Sequence, residues 1–268
     1  MTTHRFIRAL LIVGFTTAGG LAVAQTTGTQ TPTKPEKPKL PAAERKKGRS
    51  ILEKSNEAVI AVKSAKYEVE AVAGTPLNPS QVVATGKSKL SGLTDTGFDR
   101  FQFDGQVDAR TAKQTKNVVV SSDGKQYFLV DHTEKTYIRS DKPEQLGLIP
   151  QVVSIALMIE FTHPEPFRDE LNGRVELTDY ETIHGVECYV LSVTYRRGGG
   201  TAEWTVGKED YLPRRVRRRT GGVELEQQVS EMTLKGLVVN EELPDSEFQL
   251  DMPAGYQEAK AVTPEGPK

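Results

Sequence analysis

The chain has 268 residues, 37% hydrophobic and 26% charged, with a formal net charge of −1 and a single cysteine. That length suits one generous domain with terminal extensions. The near-neutral balance gives no electrostatic footprint for nucleic acid, and a lone Cys188 excludes an internal disulfide framework, so the domain must rest on its apolar core.

The first segment reads as an export signal. His4, Arg5 and Arg8 give a basic start, Ala9–Phe15 opens a short apolar run that weakens toward Leu21, and Ala22–Val23–Ala24 is a small-x-small cleavage site. Residues 1–24 are therefore expected to be a secretory signal peptide cut before Gln25, which makes the mature chain periplasmic. Gly14, Gly19 and Gly20 break the run below the length of a membrane span. Residues 25–43 read as a disordered linker, polar and punctuated by Pro32, Pro35, Pro38 and Pro41. The folded domain is expected over 44–256, with a polar tail over 257–268.

The 44–65 stretch reads as a helix, with Ile51, Leu52, Ser55, Val59 and Val62 near helical spacing and Gly48 weakening its first turn. Period two follows. Tyr67, Val69 and Ala71 alternate with Glu68 and Glu70, and further strands are expected at 82–90, 98–103, 118–120, 126–130 and 136–139. Asp123–Gly124 marks a turn. The 143–161 region, from Leu146 to Phe161, is the most apolar stretch after the leader, interrupted by Pro150 and carrying Glu160 near its end. It reads as one or two buried helices, too short and broken to span a bilayer, stopped by His163–Pro164–Glu165–Pro166.

Strands then return at 175–183, 188–195, 201–206 and 213–220. Another is expected at 223–232, paired with 213–220 through a two-residue turn at Gly221–Gly222, and a last one at 248–252. Helix, strands, apolar insert and strands again give an α+β class: a curved antiparallel sheet with helices covering its concave side.

The second strand group carries a family resemblance. Gly185–Val186–Glu187–Cys188–Tyr189–Val190–Leu191 is followed by Ala202–Glu203–Trp204–Thr205–Val206, by Tyr211–Leu212–Pro213–Arg214–Arg215, and finally by Phe248–Gln249–Leu250–Asp251–Met252–Pro253–Ala254–Gly255–Tyr256. This order resembles the LolA/LolB/LppX-like periplasmic lipoprotein-carrier superfamily over roughly residues 44–256. The resemblance implies a half-open β-barrel whose mouth is plugged by helices and whose apolar cavity takes acyl chains. The 146–161 segment would be the plug, or plain core. Phe101, Phe103, Tyr127, Leu129, Leu148, Val152, Ile155, Trp204, Val206 and Arg218 are the candidate cavity residues, with Tyr67 facing inward beside them.

The arginine run 214–219 divides by face. A two-residue turn at 221–222 sets Arg219 opposite Glu224 and Arg217 opposite Glu226, as solvent-side charge pairs, while Arg218, opposite Leu225, points to the other face and can meet a lipid phosphate or carboxylate. His132, His163 and His184 stand at no metal-ligand spacing, so no metal is expected. Cys188 has no neighbouring base and reads as a buried structural thiol. No local catalytic motif and no cofactor fingerprint is present. The expected class is therefore a binding protein, a carrier or sensor of an acyl chain or other apolar ligand, with an envelope interaction or regulatory module of the same fold as the alternative and a hydrolase third. The partners expected are an apolar or lipid ligand and a lipoprotein or membrane-associated protein; neither nucleic acid nor a transmembrane segment in the mature chain is expected.

Overall fold

A computed structural model describes residues 40–94, 97–109, 114–147, 152–196, 199–221 and 227–261. The expected signal peptide and most of the linker lie outside the described residues. The chain enters through α1 (Ala42–Arg45) and α2 (Gly48–Ile60). Two strand groups follow. The first holds β1 (Ser64–Thr75), β2 (Asn78–Thr94), β3 (Gly97–Ala109), β4 (Gln114–Asp123), β5 (Tyr127–Asp131) and β6 (Thr136–Ser140). The second holds β7 (Arg174–Ile183), β8 (Val186–Thr194), β9 (Thr201–Gly207), β10 (Pro213–Thr220), β11 (Gln228–Val239) and the two-residue β12 (Gln257–Glu258).

Among the described residues these strands form one curved sheet in the order β12-β6-β5-β4-β3-β2-β1-β11-β10-β9-β8-β7, open between its two ends. All neighbours are antiparallel except β12 on β6. The two groups join where β11 pairs with β1, for example Leu234 opposite Val69.

Side chains alternate across a pleat, so register decides which residues share the covered face. One row runs Ala84, Ala71, Met232, Val216, Trp204, Leu191 and Leu177 across seven strands, and every member is buried. The opposite face shows Glu68, Glu70, Lys87 and Lys235, which are exposed. One face of the sheet is thus apolar and covered, the other charged and wet, the usual division for an antiparallel sheet. Gly86 pairs with Gly105 at the covered face. A Cβ on Gly105 would stand 2.2 Å from the Thr85 carbonyl and 2.8 Å from the Phe103 ring, so the bare glycine lets that ring lie flat over its own strand.

The cover comes from α2 and from the segment between the strand groups. α2 buries Ile51, Leu52, Ser55 and Val59 and packs on β7. The sequence presented Gly48 as a weak point of this helix, but its position has a packing reason: a Cβ there would sit 2.4 Å from the Leu177 backbone nitrogen. The helix starts against bare backbone of β7, the strand that ends the sheet.

Two expectations need correction and a third is met in part. The apolar 146–161 stretch is α-helical at Val152 and Val153 and forms 3-10 turns at Pro143–Leu146, Ser154–Ala156 and Ile159–Thr162, before a four-residue α3 (Arg168–Leu171); residues 148–151 lie outside the described residues. Its polar backbone bonds to the sheet beneath it as well as to itself. The β10–β11 ladder begins at Thr220 opposite Gln228, not Val223, which puts Arg219 opposite Val229, Arg218 opposite Ser230 and Arg217 opposite Glu231. Glu224, Leu225 and Glu226 lie outside the described residues. Finally, 248–252 is not a strand: a 3-10 turn at Asp245–Glu247 precedes it, Phe248 is fully buried, and the terminal strand is β12, inside the expected tail.

Candidate functional site

The covered face converges on Trp204. Its indole stacks edge-on with Phe167, ring centroids 4.9 Å apart, and both rings are 0% exposed. Phe161, Met158 and Ala156 of the insert are also buried, as are Leu191 and Val193 beside the indole. Burying each large side chain contributes about 1.5–3 kcal/mol, so the insert is held mainly by this apolar contact.

A few polar contacts fix its position. The Met158 N–H donates to Tyr67 Oη at 2.8 Å. The Ser88 hydroxyl donates to the Ala156 carbonyl at 3.2 Å. The Phe167 N–H reaches Asn56 Oδ1 on α2 at 3.4 Å. Burial holds the Tyr67 phenol well above its ordinary pKa, so it stays a neutral hydrogen-bonding group.

The fourth tie is ionic. Glu160, from the last 3-10 turn, bonds through Oε1 to Arg218 Nη2 on β10. Arg218 lies over the Trp204 ring with its guanidinium carbon 4.8 Å from the centroid. Behind this pair, Tyr195 Oη donates to Glu170 Oε1 at 2.8 Å. The cluster therefore sets one arginine between two carboxylates and a phenol. Burial pushes the Glu160 carboxyl above its ordinary value; Arg218 opposes that and Glu170 adds to it. Among the described residues, two atoms here are buried without a hydrogen-bond partner: Glu160 Oε2 and Trp204 Nε1.

The sequence candidates fall as follows. Trp204 and Val206 on β9, Phe103 on β3 and Leu129 on β5 are buried on the covered face. Phe101 and Tyr127 are half-buried at the other end of it, centroids 6.3 Å apart. Val152 and Ile155 of the insert are half-buried against the core. Leu148 lies outside the described residues. Arg218 turns toward the covered face, whereas Arg217 turns outward to Glu231 at 2.8 Å and Glu203 at 3.1 Å. Arg215 pairs with Glu181, and Arg214 with Asp210, as structural neighbours. Sequence reasoning missed Glu160, Glu170 and Tyr195. The available signal was Glu160 itself, an acid inside the most apolar stretch of the chain, because a buried carboxylate calls for a cation.

The remaining polar candidates sit elsewhere. His132 Nδ1 lies 2.9 Å from Tyr256 Oη, His163 Nδ1 accepts from the Glu165 N–H at 3.0 Å, and His184 occupies the exposed β7–β8 turn. No cluster of potential metal ligands occurs among the described residues. Cys188 is buried and its thiol is pushed up, mainly by burial. No helix among the described residues is long and apolar enough to cross a membrane.

Comparisons place this architecture among known proteins. A family model described as "Predicted periplasmic protein (DUF2092)" matches residues 49–261. No curated protein matches the chain. Solved structures of similar outline include lipoprotein LppX from Mycobacterium tuberculosis, 11% identical, with 73% of this chain and 96% of that chain covered and a TM-score of 0.44. They also include a putative outer membrane lipoprotein-sorting protein domain from Vibrio parahaemolyticus, 10% identical, with 76% and 96% covered and a TM-score of 0.30. A third is MucB in the MucA/MucB complex of Pseudomonas aeruginosa, 14% identical, with 76% and 61% covered and a TM-score of 0.43; this chain spans less than two thirds of that one. Likeness at this level bears on neither ligand nor partner.

Proposed function

The chain belongs to the DUF2092 family of predicted periplasmic proteins, and from that premise we propose that it is a periplasmic binding protein that holds an acyl chain or another apolar ligand against the covered face of its sheet. On this reading residues 1–24 export it, the insert is the displaceable cover, and the work is binding and release without catalysis or a cofactor. The observation that carries the reading is the nature of the cover. An extended apolar sheet face, with Trp204 at its centre, is covered partly by α2 and partly by an insert whose described residues run largely in short 3-10 turns and are held by a few polar ties. Short turns with few backbone ties open at lower cost than regular elements do. A ligand would replace the insert's apolar contacts with its own, and the candidate lining is the set placed above, from Phe101 and Tyr127 to Trp204 and Arg218.

A second reading is favoured by a different observation. The covered face is filled: Trp204, Phe161, Phe167 and Met158 are each 1% exposed or less. A module of the same fold that docks an envelope partner, such as a lipoprotein or a membrane-associated protein, needs no cargo space. Two shallow hollows of about 240 and 270 Å³ lie on the charged side of the sheet, around Glu68, Lys87 and Lys235.

Trp204 is the sole tryptophan, and it lies directly beneath the insert, so its emission reports the cover's state. Titration of the exported chain with palmitate, and separately with diacyl phospholipid vesicles, is expected to shift and saturate Trp204 emission. An unchanged spectrum with both would discard the apolar-ligand reading in favour of partner docking.

A further inference from the structure

We propose that Arg218 is a seat for the anionic group of an amphiphilic ligand, and that Glu160 of the insert is the resident carboxylate which that ligand displaces. This rests on the binding reading above and names the ligand's chemical class: a carboxylate or phosphate at the end of an apolar chain.

The position of Arg218 is the first argument. It shares the covered face with Val216, two residues away, and is paired across the strands with Ala202, which is itself opposite Val193. A cation in that company needs an anion to offset its desolvation. Among the described residues, no carboxylate of the sheet pairs with Arg218. The paired carboxylate comes from a 3-10 turn of the insert, 58 residues earlier in the chain, so Arg218 keeps that direct ion pair only while the turn is down, with Glu170 of α3 as a further anion nearby.

The geometry of the pair is the second argument. Arginine–carboxylate pairs are frequently bidentate, with both oxygens engaged. Glu160 uses Oε1, while Oε2 is buried with no partner among the described residues. The indole on which the guanidinium rests also has a buried N–H that is unpaired among the described residues. Unsatisfied donors and acceptors beside a buried charge are costly. A carboxylate or phosphate arriving from a ligand can offer Arg218 two oxygens and Trp204 an acceptor.

Charge balance selects the class. Arg218 faces Glu160 of the insert, Glu170 of α3 and the Tyr195 phenol at the end of β8. Exchanging Glu160 for one ligand anion leaves the local charge unchanged. An alcohol or amine head group would strand Arg218 beside a weaker partner or a like charge, which acts as discrimination against those ligands. The chain of such a ligand has Phe161, Met158, Phe167 and Leu191 next to the seat, all buried in the closed form.

The test compares three probes of equal chain length, palmitate, hexadecyl phosphate and hexadecanol, bound to the exported chain and to Arg218→Gln, Arg218→Lys and Glu160→Gln, each shown to fold by circular dichroism. Wild type is expected to prefer an anionic probe over hexadecanol by about tenfold or more, one charged hydrogen bond's worth. Arg218→Gln is expected to erase that preference, Arg218→Lys to retain part of it, and Glu160→Gln to tighten the anionic probes further because the resident competitor is gone. Preference for hexadecyl phosphate over palmitate would identify phosphate as the anion, and the reverse a carboxylate. Equal binding of all three probes, unaffected by Arg218→Gln, would overturn the anion seat while leaving the apolar-ligand reading intact. Failure of every probe on every variant would overturn both.

Discussion

Arg218 on β10 and Glu160 on the insert form an ion pair across 58 residues of sequence, with the arginine also stacked on Trp204. Breaking such a pair from one side leaves a buried charge alone, at a cost of about 3–5 kcal/mol. The Arg218 side chain is 23% exposed and that of Glu160 6%, so solvent reaches the arginine and the lower end applies, about 3 kcal/mol. Arg218→Met is expected to lower the urea midpoint accordingly. The double variant with Glu160→Gln is expected to recover most of the loss, giving a coupling energy above about 1 kcal/mol. Additive losses would show that the two residues act independently.

The same carboxyl sets a pH dependence. Burial first, with Glu170 assisting and Arg218 opposing, raises Glu160 in the folded chain above its ordinary value. The folded state therefore holds that proton more tightly than the unfolded state does. Its stabilising contribution is complete below the ordinary carboxylate pKa, about 4.3, and is lost as pH rises through the raised folded value. Plotted as wild type minus Glu160→Gln, unfolding free energy is expected to fall with rising pH above about 4 and then level off. A difference that rises with pH would mean that Arg218 outweighs burial.

Tyr67 anchors the middle of the insert by accepting the Met158 N–H. Tyr67→Phe removes the acceptor and strands that N–H in a buried place, a penalty of about 1–3 kcal/mol. Because the contact belongs to the cover, the effect is expected to be local: amide exchange across 156–161 should speed by about tenfold or more, while β8 and β9 hold their protection. Uniform acceleration throughout the domain would place Tyr67 in the global core.

How much of this could be read in advance varies with the physics of each element. The strand alternation at Tyr67, Val69 and Ala71 was plain, because period two is a local property. The long β2 was half hidden: its covered-face positions include Ala84, Gly86 and Ser88, small residues that carry little hydrophobic signal. The β10–β11 register was misread because Gly221–Gly222 has the chemistry of a two-residue turn, whereas the ladder resumes only at Gln228. Even so, the inward aim of Arg218 follows from alternation along β10 alone. The insert looked helical from its apolar content, and Val152–Val153 are helical, but the 3-10 turns at Ser154–Ala156 and Ile159–Thr162 go with contacts to the sheet that apolar content does not encode. No spacing rule links Glu160 to Arg218, since the pair exists only through the fold.

Gly48 separates packing from propensity. Alanine in an exposed helix gains about 1 kcal/mol over glycine. Here a Cβ would stand 2.4–2.8 Å from the Glu176 and Leu177 backbone, so α2 must shift off β7. Gly48→Ala is expected to destabilise the domain by about 1–3 kcal/mol in thermal or urea unfolding, the range for overpacking. A stabilised variant would mean that α2 does not start against that strand.

The central claim is that the sheet's covered face holds an apolar ligand beneath the insert. Native mass spectrometry of the chain from Gln25 onward, exported and purified without detergent, with solvent extraction alongside, tests it most directly. A bound apolar species of defined mass is expected, reduced or lost in Trp204→Ala. A clean ligand-free mass, unchanged after incubation with lipids and lipopeptides, would contradict it.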